Sequence, residues 1–323
     1  MRTLRILRDR PYIDSMPVSV EGFVAEVPRR VRISRGTPPW AVEVFRVVHV
    51  GQSSLILAEI GSEAAVDLVA ITSQERGLVP GGVCLPDDAE LADLLDVARR
   101  VAPGVGTLDL RRWAQSPPPE IVVVDLRLRG VRLDARAVAE LRVRLAAADR
   151  HPVADPLMDP RPQRALAEPL AHAALAGDEL ALRALLLRLV GSGPGTTPAG
   201  DDVVVGVLAT LSATHVDAHA RLCRHLPALL SRTTAASRHD LAAASDGCYS
   251  EHVHRIVAAL ADVQRAPAAV EHARTWGATS GLDHTAGVVG AATSVLRDRS
   301  TTALLLDPCP SSPNDLRRSA WLR

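Results

Sequence analysis

Two adjacent carboxylates, Asp201 and Asp202, close a run of glycines and threonines, and a third, Asp283, follows a similar run. Residues 191–206 read G-S-G-P-G-T-T-P-A-G-D-D-V-V-V-G. A Gly-rich loop ending in Thr-Pro and entering valines delivers the chain into a helix. Thr197 is the expected N-cap and Pro198 the first helical residue, where its missing N–H is harmless. Helix N-termini gather anions through their first-turn N–H groups and the positive end of the dipole. On this reading Gly193, Gly195, Thr197 and Gly200 cradle a phosphate or carboxylate. Two aspartates would repel a bare anion, so Mg²⁺ held by Asp201 and Asp202 is the companion this chemistry suggests. A well-capped loop with no ligand is the plain alternative.

A second stretch, 277–287, reads G-A-T-S-G-L-D-H-T-A-G. Its Gly281, Asp283 and Gly287 align with Gly200, Asp202 and Gly206, so both stretches carry G-x-D-x-x-x-G and both enter an apolar helix. Asp and the Gly four residues on share a helical face. A glycine there admits another backbone, at ~1 kcal/mol against alanine. Two readings stand. In one, two helix N-termini converge so that Asp202 and Asp283 face a single pocket, with Thr279, Ser280 and Gly281 completing an anion site and Asp283 joining Asp201 and Asp202 on a metal. In the other, two helices simply pack through small residues. Between the copies, residues 232–251 offer Arg232 as a phosphate-capable cation. Thr233 and Thr234 join Arg232 as candidate phosphate-binding residues, and in a helix at 234–244 Thr234, Ser237, Leu241 and Ala244 share a face. Such hydroxyls either bond back to helix carbonyls or reach a polar pocket.

Composition removes several chemistries. All 37 basic residues are arginine. Without lysine there is no P-loop lysine, no pyridoxal-phosphate Schiff base and no Ser-Lys dyad. The four cysteines (Cys84, Cys223, Cys248, Cys309) form no C-x-x-C pair, which argues against zinc and for reduced thiols in a cytoplasm. NAD is not expected either. His215 and His219 are four apart but lack the glutamate of H-E-x-x-H and read as a solvated helix face. Net charge is zero and aromatics are 2%, which speaks against nucleic acid. No apolar run approaches the ~20 residues of a membrane span, so no membrane partner is expected.

These residues need elements to hold them. Residues 18–72 read as β-structure, through 18–27, 40–50, 55–60 and 68–72. Pro80-Gly81-Gly82 marks a turn, and Asp87 or Asp88 caps a helix striped by Leu91, Leu94, Leu95, Ala98 and Val101. A Pro-rich loop at 117–119 leads to a strand at 121–126 and a helix at 134–148. Four prolines within 151–162 cannot continue a helix and mark a boundary. Beyond it the pattern is helical at 163–176, 179–189, 202–213, 217–230, 234–244, 251–261, 268–276 and 283–296. The expectation is an α+β chain: a β-rich domain at 1–150, a linker at 151–162, a helical domain at 163–300 and a loose tail at 301–323.

At three stretches the chain resembles a bacterial domain family linked to the AllH-like oxamate carbamoyltransferase subunit of allantoin degradation. The hallmark is a Gly-rich loop ending in T-P-S-G-D-D, then T-T-x-x-S, then T-S-G-x-D. Here they stand at 193–202, 233–237 and 277–283, with Thr196 in place of the usual Leu and Ala199 in place of Ser. The resemblance implies a cytoplasmic transferase subunit moving a carbamoyl group between oxamate and phosphate, assembled with other subunits, with carbamoyl phosphate as its small anionic substrate. Asp202, Asp283 and Ser237 are then the candidate catalytic residues, with Ser237 or Thr234 holding the transferred carbonyl. Two other classes remain: a free-standing Mg²⁺-dependent phosphoryl-transfer enzyme or hydrolase, and a non-catalytic scaffold subunit.

Overall fold

The computed structural model describes residues 6–8, 30–34, 45–59, 68–101, 106–110, 120–149 and 158–306. The strand expected at 18–27, the Pro-rich loop at 117–119, most of the 151–162 linker and the tail beyond 306 lie outside them. Among the described residues eight strands form one mixed sheet: β1 (Ile6–Arg8), β2 (Arg30–Ile33), β3 (Phe45–Val50), β4 (Ser54–Glu59), β5 (Leu68–Ser73), β6 (Val83–Leu85), β7 (Gly106–Leu108) and β8 (Glu120–Val123). Their order is β1-β7-β3-β4-β5-β6-β2-β8, parallel at β5–β6 and β2–β8 and antiparallel elsewhere.

Period-two alternation gives the central strands two different faces. Leu55, Leu57 and Ile71 turn to one side and pack with Leu91, Leu94, Leu95 and Ala98 of α1 (Asp88–Arg99). Asp87 caps α1, accepting from Ala89 N–H at 2.8 Å. Ser54, Ile56, Leu68, Ala70 and Thr72 turn to the other side and form one wall of a cleft. The β3–β4 turn closes with Gly51 N–H donating to Ser54 O at 2.8 Å and puts residues 51–53 on the cleft rim.

The remaining elements are helical: α2 (Ala135–Ala148), α3 (Arg161–Arg164), α4 (Ala167–Ala176), α5 (Glu179–Leu189), α6 (Ala199–Thr214), α7 (Val216–His225), α8 (Ala235–Ser245), α9 (Glu251–Ala258), α10 (Ala266–Thr275) and α11 (Ser280–Leu306). A helix that is apolar all round must be central. In α6, 14 residues are buried, from Ala199 through Leu211 plus Ala213. Around it pack Leu170, Leu182, Leu186, Leu189, Leu241, Val253, Ile256, Val288 and Val295. Leu133, Val138 and Leu141 join the same cluster, so α2 packs with the helices although it precedes the Pro-rich stretch. At its other end α11 runs to Leu306, past the point where a tail was expected to begin.

The α6–α11 crossing explains the repeated glycines. A Cβ on Gly206 would lie 2.2 Å from His284 O, and one on Gly287 would lie 2.2 Å from Val203 O. Each glycine takes the backbone of the other helix, three residues before the partner glycine, so the crossing is symmetric. The close packing through small residues read from the sequence is present.

The sheet and the helices meet through polar contacts. Arg32 on β2 pairs with Glu251 on α9, Nη1 donating to Oε2 at 3.1 Å, and Glu251 also accepts from Leu78 N–H at 3.0 Å. His239 on α8 bonds through Nε2 to Pro80 O at 2.8 Å, and His254 Nε2 to Leu126 O at 2.9 Å.

Candidate functional site

A cleft of about 580 Å³ lies between the open sheet face and the helical layer. Its sheet side includes His49, Ser54, Ile56, Ala70, Thr72 and Arg76. Its helical side is made by Thr196, Thr197 and Asp202, then Ala236, His239 and Asp240, then Trp276, Gly277, Ser280 and His284. Those three groups come from the three Gly/Thr/Asp segments singled out in the sequence, which therefore converge on one place.

The residues are brought there differently from the expectation. Thr197 does not cap α6. Pro198, in extended geometry, is the cap, and its carbonyl accepts from Asp201 N–H at 2.9 Å. The helix begins one residue later than expected because an extended Pro198 supplies the first carbonyl acceptor. Thr197 is thereby free to hydrogen-bond Ser280 Oγ at 2.9 Å, tying the first Gly-rich segment to the second at the cleft.

The first-turn amides are also used internally. Gly200 N–H donates to Ser192 O at 2.9 Å, and Gly281 N–H to Trp276 O at 3.0 Å. A Cβ on Gly200 would strike Leu189 O at 2.1 Å and one on Gly281 would strike Ala273 O at 2.0 Å. Both glycines therefore seat helix starts against a preceding helix and do not line the cleft. Gly193 and Gly195, at φ +118° and +95°, shape the loop that delivers Thr196 and Thr197, and likewise stand off the cleft.

The three aspartates part company. Consecutive helical residues differ by about 100° in direction, so Asp201 and Asp202 cannot serve one point. Asp201 faces the loop, accepting from Gly191 N–H at 2.9 Å and from Thr233 Oγ1. Asp202 reaches the cleft, with Oδ1 3.5 Å from His284 Nε2 and Oδ2 without a partner. Asp283, fully buried, receives Arg164 Nε at 2.6 Å, while the same guanidinium pairs with Asp149. The expectation that Asp202 and Asp283 face one pocket is corrected: only Asp202 lines it. Among the described residues no group of three His, Cys, Asp or Glu side chains comes together to hold a metal ion.

Other candidates are placed as follows. Ser237 is buried behind the cleft near Asp201, and its hydroxyl eases the carboxylate's burial. Thr234 caps α8, accepting from Ser237 N–H at 3.2 Å, and donates to Thr196 O. Arg232 is exposed and donates to Leu187 O at 3.3 Å, away from the cleft. Thr279 lends its carbonyl to Asp283 N–H at 3.0 Å. Of the arginines among the described residues, Arg76 is the one that lines the cleft, and it donates to Thr275 O. His215 caps α7, accepting from Ala218 N–H at 3.3 Å, so it is not part of a solvated pair.

Burial controls the charges. It pushes the Asp202 carboxyl well above the ordinary range, assisted by the charges of Asp283, Asp240 and Asp201 and opposed by the Ser280 hydroxyl. It raises Asp240 to about 6, with Asp201 adding to the shift and His239 opposing it. It lowers His284 to about 4. The Asp202–His284 pair is thus held toward its uncharged forms, so the cleft floor is less negative than two carboxylates would suggest.

Sequence reasoning missed Arg76, Asp240, Trp276 and His284. His284 sits next to a residue that was chosen, Asp283, and Asp240 follows the chosen Ser237 by three residues on the same helix. Only the direction in which each helix faces separates them, and alignment of the two Gly motifs could not supply it.

Neither a curated protein nor a solved structure matches the chain. A family model described as "Oxamate carbamoyltransferase subunit AllH" matches residues 189–292, a span that contains all three motifs and the whole helical wall of the cleft. The resemblance read from those motifs is borne out: over residues 189–292 this chain carries the pattern of the AllH family.

Proposed function

We propose that this chain is a subunit of an oxamate carbamoyltransferase-like enzyme of allantoin degradation and that the cleft binds its small phosphate or carboxylate substrate, such as carbamoyl phosphate. The observation that carries the reading is convergence. Thr197 and Asp202, Asp240, and Ser280 and His284 come from three separate segments of the matched span and line one cleft.

Carbamoyl transfer between the oxamate nitrogen and a phosphate oxygen builds negative charge on the carbamoyl oxygen and requires proton movement at the nitrogen. Thr197 and Ser280 hydroxyls and the Arg76 guanidinium are the donors for an anion. Burial pushes the Asp202 carboxyl toward its protonated form, in which it donates a hydrogen bond or a proton where an ionised one would repel. Asp240, poised at about 6, can take a proton near neutral pH. Partner subunits complete the assembly in this reading.

The test is thermal stabilisation of the purified chain by carbamoyl phosphate, phosphate or oxamate, alone and with its partner subunits. Stabilisation that Asp202→Asn and Ser280→Ala both weaken supports the reading. No stabilisation by any of the three, in either setting, overturns it. A scaffold role is the second reading, favoured by glycines that pack helices and first-turn amides that bond internally. It requires Asp202→Asn to leave a reconstituted complex fully active.

A further inference from the structure

The two sides of the cleft offer different hydrogen-bonding groups. Its helical floor carries two carboxyls. Asp202 is 3% exposed, and while its Oδ1 faces His284, its Oδ2 is buried without a partner. Asp240, on α8, accepts no hydrogen bond from any described residue. The neighbouring buried aspartates are supplied, Asp201 by Gly191 N–H and Thr233, and Asp283 by Arg164. Donors on the floor are few. At the start of α6, Gly200 N–H bonds to Ser192 O, and the N–H groups of Asp201 and Asp202 bond to Pro198 O. The Thr197 and Ser280 hydroxyls bond to each other at 2.9 Å, so one O–H is used in that contact and one remains. Arg76, the arginine of the cleft, stands on the sheet side, three residues after β5.

A buried carboxyl oxygen that accepts nothing has lost its water without replacement, which is destabilising. A phosphate or carboxylate group cannot restore the bond, because it brings only acceptors. A group with N–H donors can. A primary amide carries two N–H bonds and one carbonyl oxygen, which matches two carboxyl acceptors and one hydroxyl donor. An ammonium group brings donors alone and leaves the remaining O–H unused.

We propose that the floor holds the –CO–NH₂ end of the substrate and that its phosphate or carboxylate end lies toward Arg76. The N–H groups donate to Asp202 Oδ2 and to the Asp240 carboxyl, and the carbonyl oxygen accepts the remaining O–H of Thr197 or Ser280. Asp202 and Asp240 are then the residues that separate a carbamoyl compound from its acetyl counterpart, in which a methyl group offers the two carboxyls nothing. The identity of the ligand rests on the transferase reading; the match of donors to acceptors belongs to the cleft itself.

The experiment uses isosteric pairs in which CH₃ replaces NH₂: oxamate against pyruvate, carbamoyl phosphate against acetyl phosphate, and N-carbamoylglycine against N-acetylglycine. Each is titrated calorimetrically into the purified full chain. The wild type binds the NH₂ member of a pair about tenfold more tightly, or better. Asp202→Leu and Asp240→Leu each weaken the NH₂ member and bring the pair to within about twofold. Neither carboxyl has a partner to strand, so neither variant lowers the unfolding midpoint, and if one fails to fold the other decides. Arg76→Met weakens both members equally and leaves their ratio unchanged. Equal binding of the two members by the wild type, or a preference that survives in the folded Leu variants, overturns the proposal. If N-carbamoylglycine binds with this dependence while oxamate and carbamoyl phosphate do not, the transferase reading falls and the amide site stands. If no NH₂ member binds, both fall.

Discussion

Asp240 in the cleft and Arg164 outside it set measurable pH and stability behaviour. Asp240 titrates at about 6 inside the cleft because burial penalises its charge. Protonation removes a negative charge from the wall, so an anionic ligand binds more tightly as pH falls through that value. Phosphate affinity measured calorimetrically is expected to rise severalfold from about pH 7.5 to about pH 5.5, and Asp240→Asn is expected to flatten the dependence. Arg164 neutralises Asp283, whose side chain is 0% exposed. Arg164→Leu strands that carboxylate and should destabilise the fold by about 3–5 kcal/mol in denaturant unfolding, most of it recovered by adding Asp283→Asn. The sequence made Asp202 and Asp283 equivalent because their local patterns are the same. What separates them is Arg164, 119 positions before Asp283, and no local pattern announces a partner at that distance.

Helices were legible where a stripe and a cap coincide. Asp87, one of the two caps offered for α1, caps it; Asp134, read as the first residue of α2, is its cap; and α5 spans the residues predicted for it. Two boundaries slipped: α6 starts from Pro198, which offers no side-chain cap, and α11 begins at Ser280, ahead of the predicted Asp283. The paired glycines were read correctly as places of close approach, and the α6–α11 crossing makes that reading quantitative. Gly206→Ala puts a Cβ 2.2 Å from a backbone oxygen that no rotamer change can move, and is expected to destabilise by ~3 kcal/mol or more. Gly195→Ala meets open space and only a positive φ, at +95°, so its penalty should stay near ~1–2 kcal/mol. Denaturant midpoints for the two variants check the ranking.

At the scale of the whole molecule, β-rich and helical halves were legible from the change in hydrophobic period. That the open sheet face would wall the cleft was not, because pairing across residues 49–80 and 196–284 is a long-range event without a local sequence signal. The Arg32–Glu251 pair and the Leu78 N–H join these halves, and together they hold the Glu251 carboxyl below its ordinary value even though burial pushes it upward. The unfolded chain then binds more protons near pH 4, so this stabilisation is present above the ordinary value of 4.5 and is lost as pH falls through the lower folded one. Glu251→Gln should remove about 1–3 kcal/mol at neutral pH and blunt the acid loss, as read by unfolding midpoints at about pH 7 and about pH 3.5. The all-round burial of α6 has a mechanical consequence. Asp202 is mounted on an element wrapped by its neighbours on every side, while the facing wall is a few strands and a hairpin turn backed by one helix. The cleft is thus an anvil with a compliant jaw. Deuterium should enter the β3–β4 turn orders of magnitude sooner than α6, and adjustment to ligands of different size should be found as displacement of residues 49–54, with the carboxylate staying where it is.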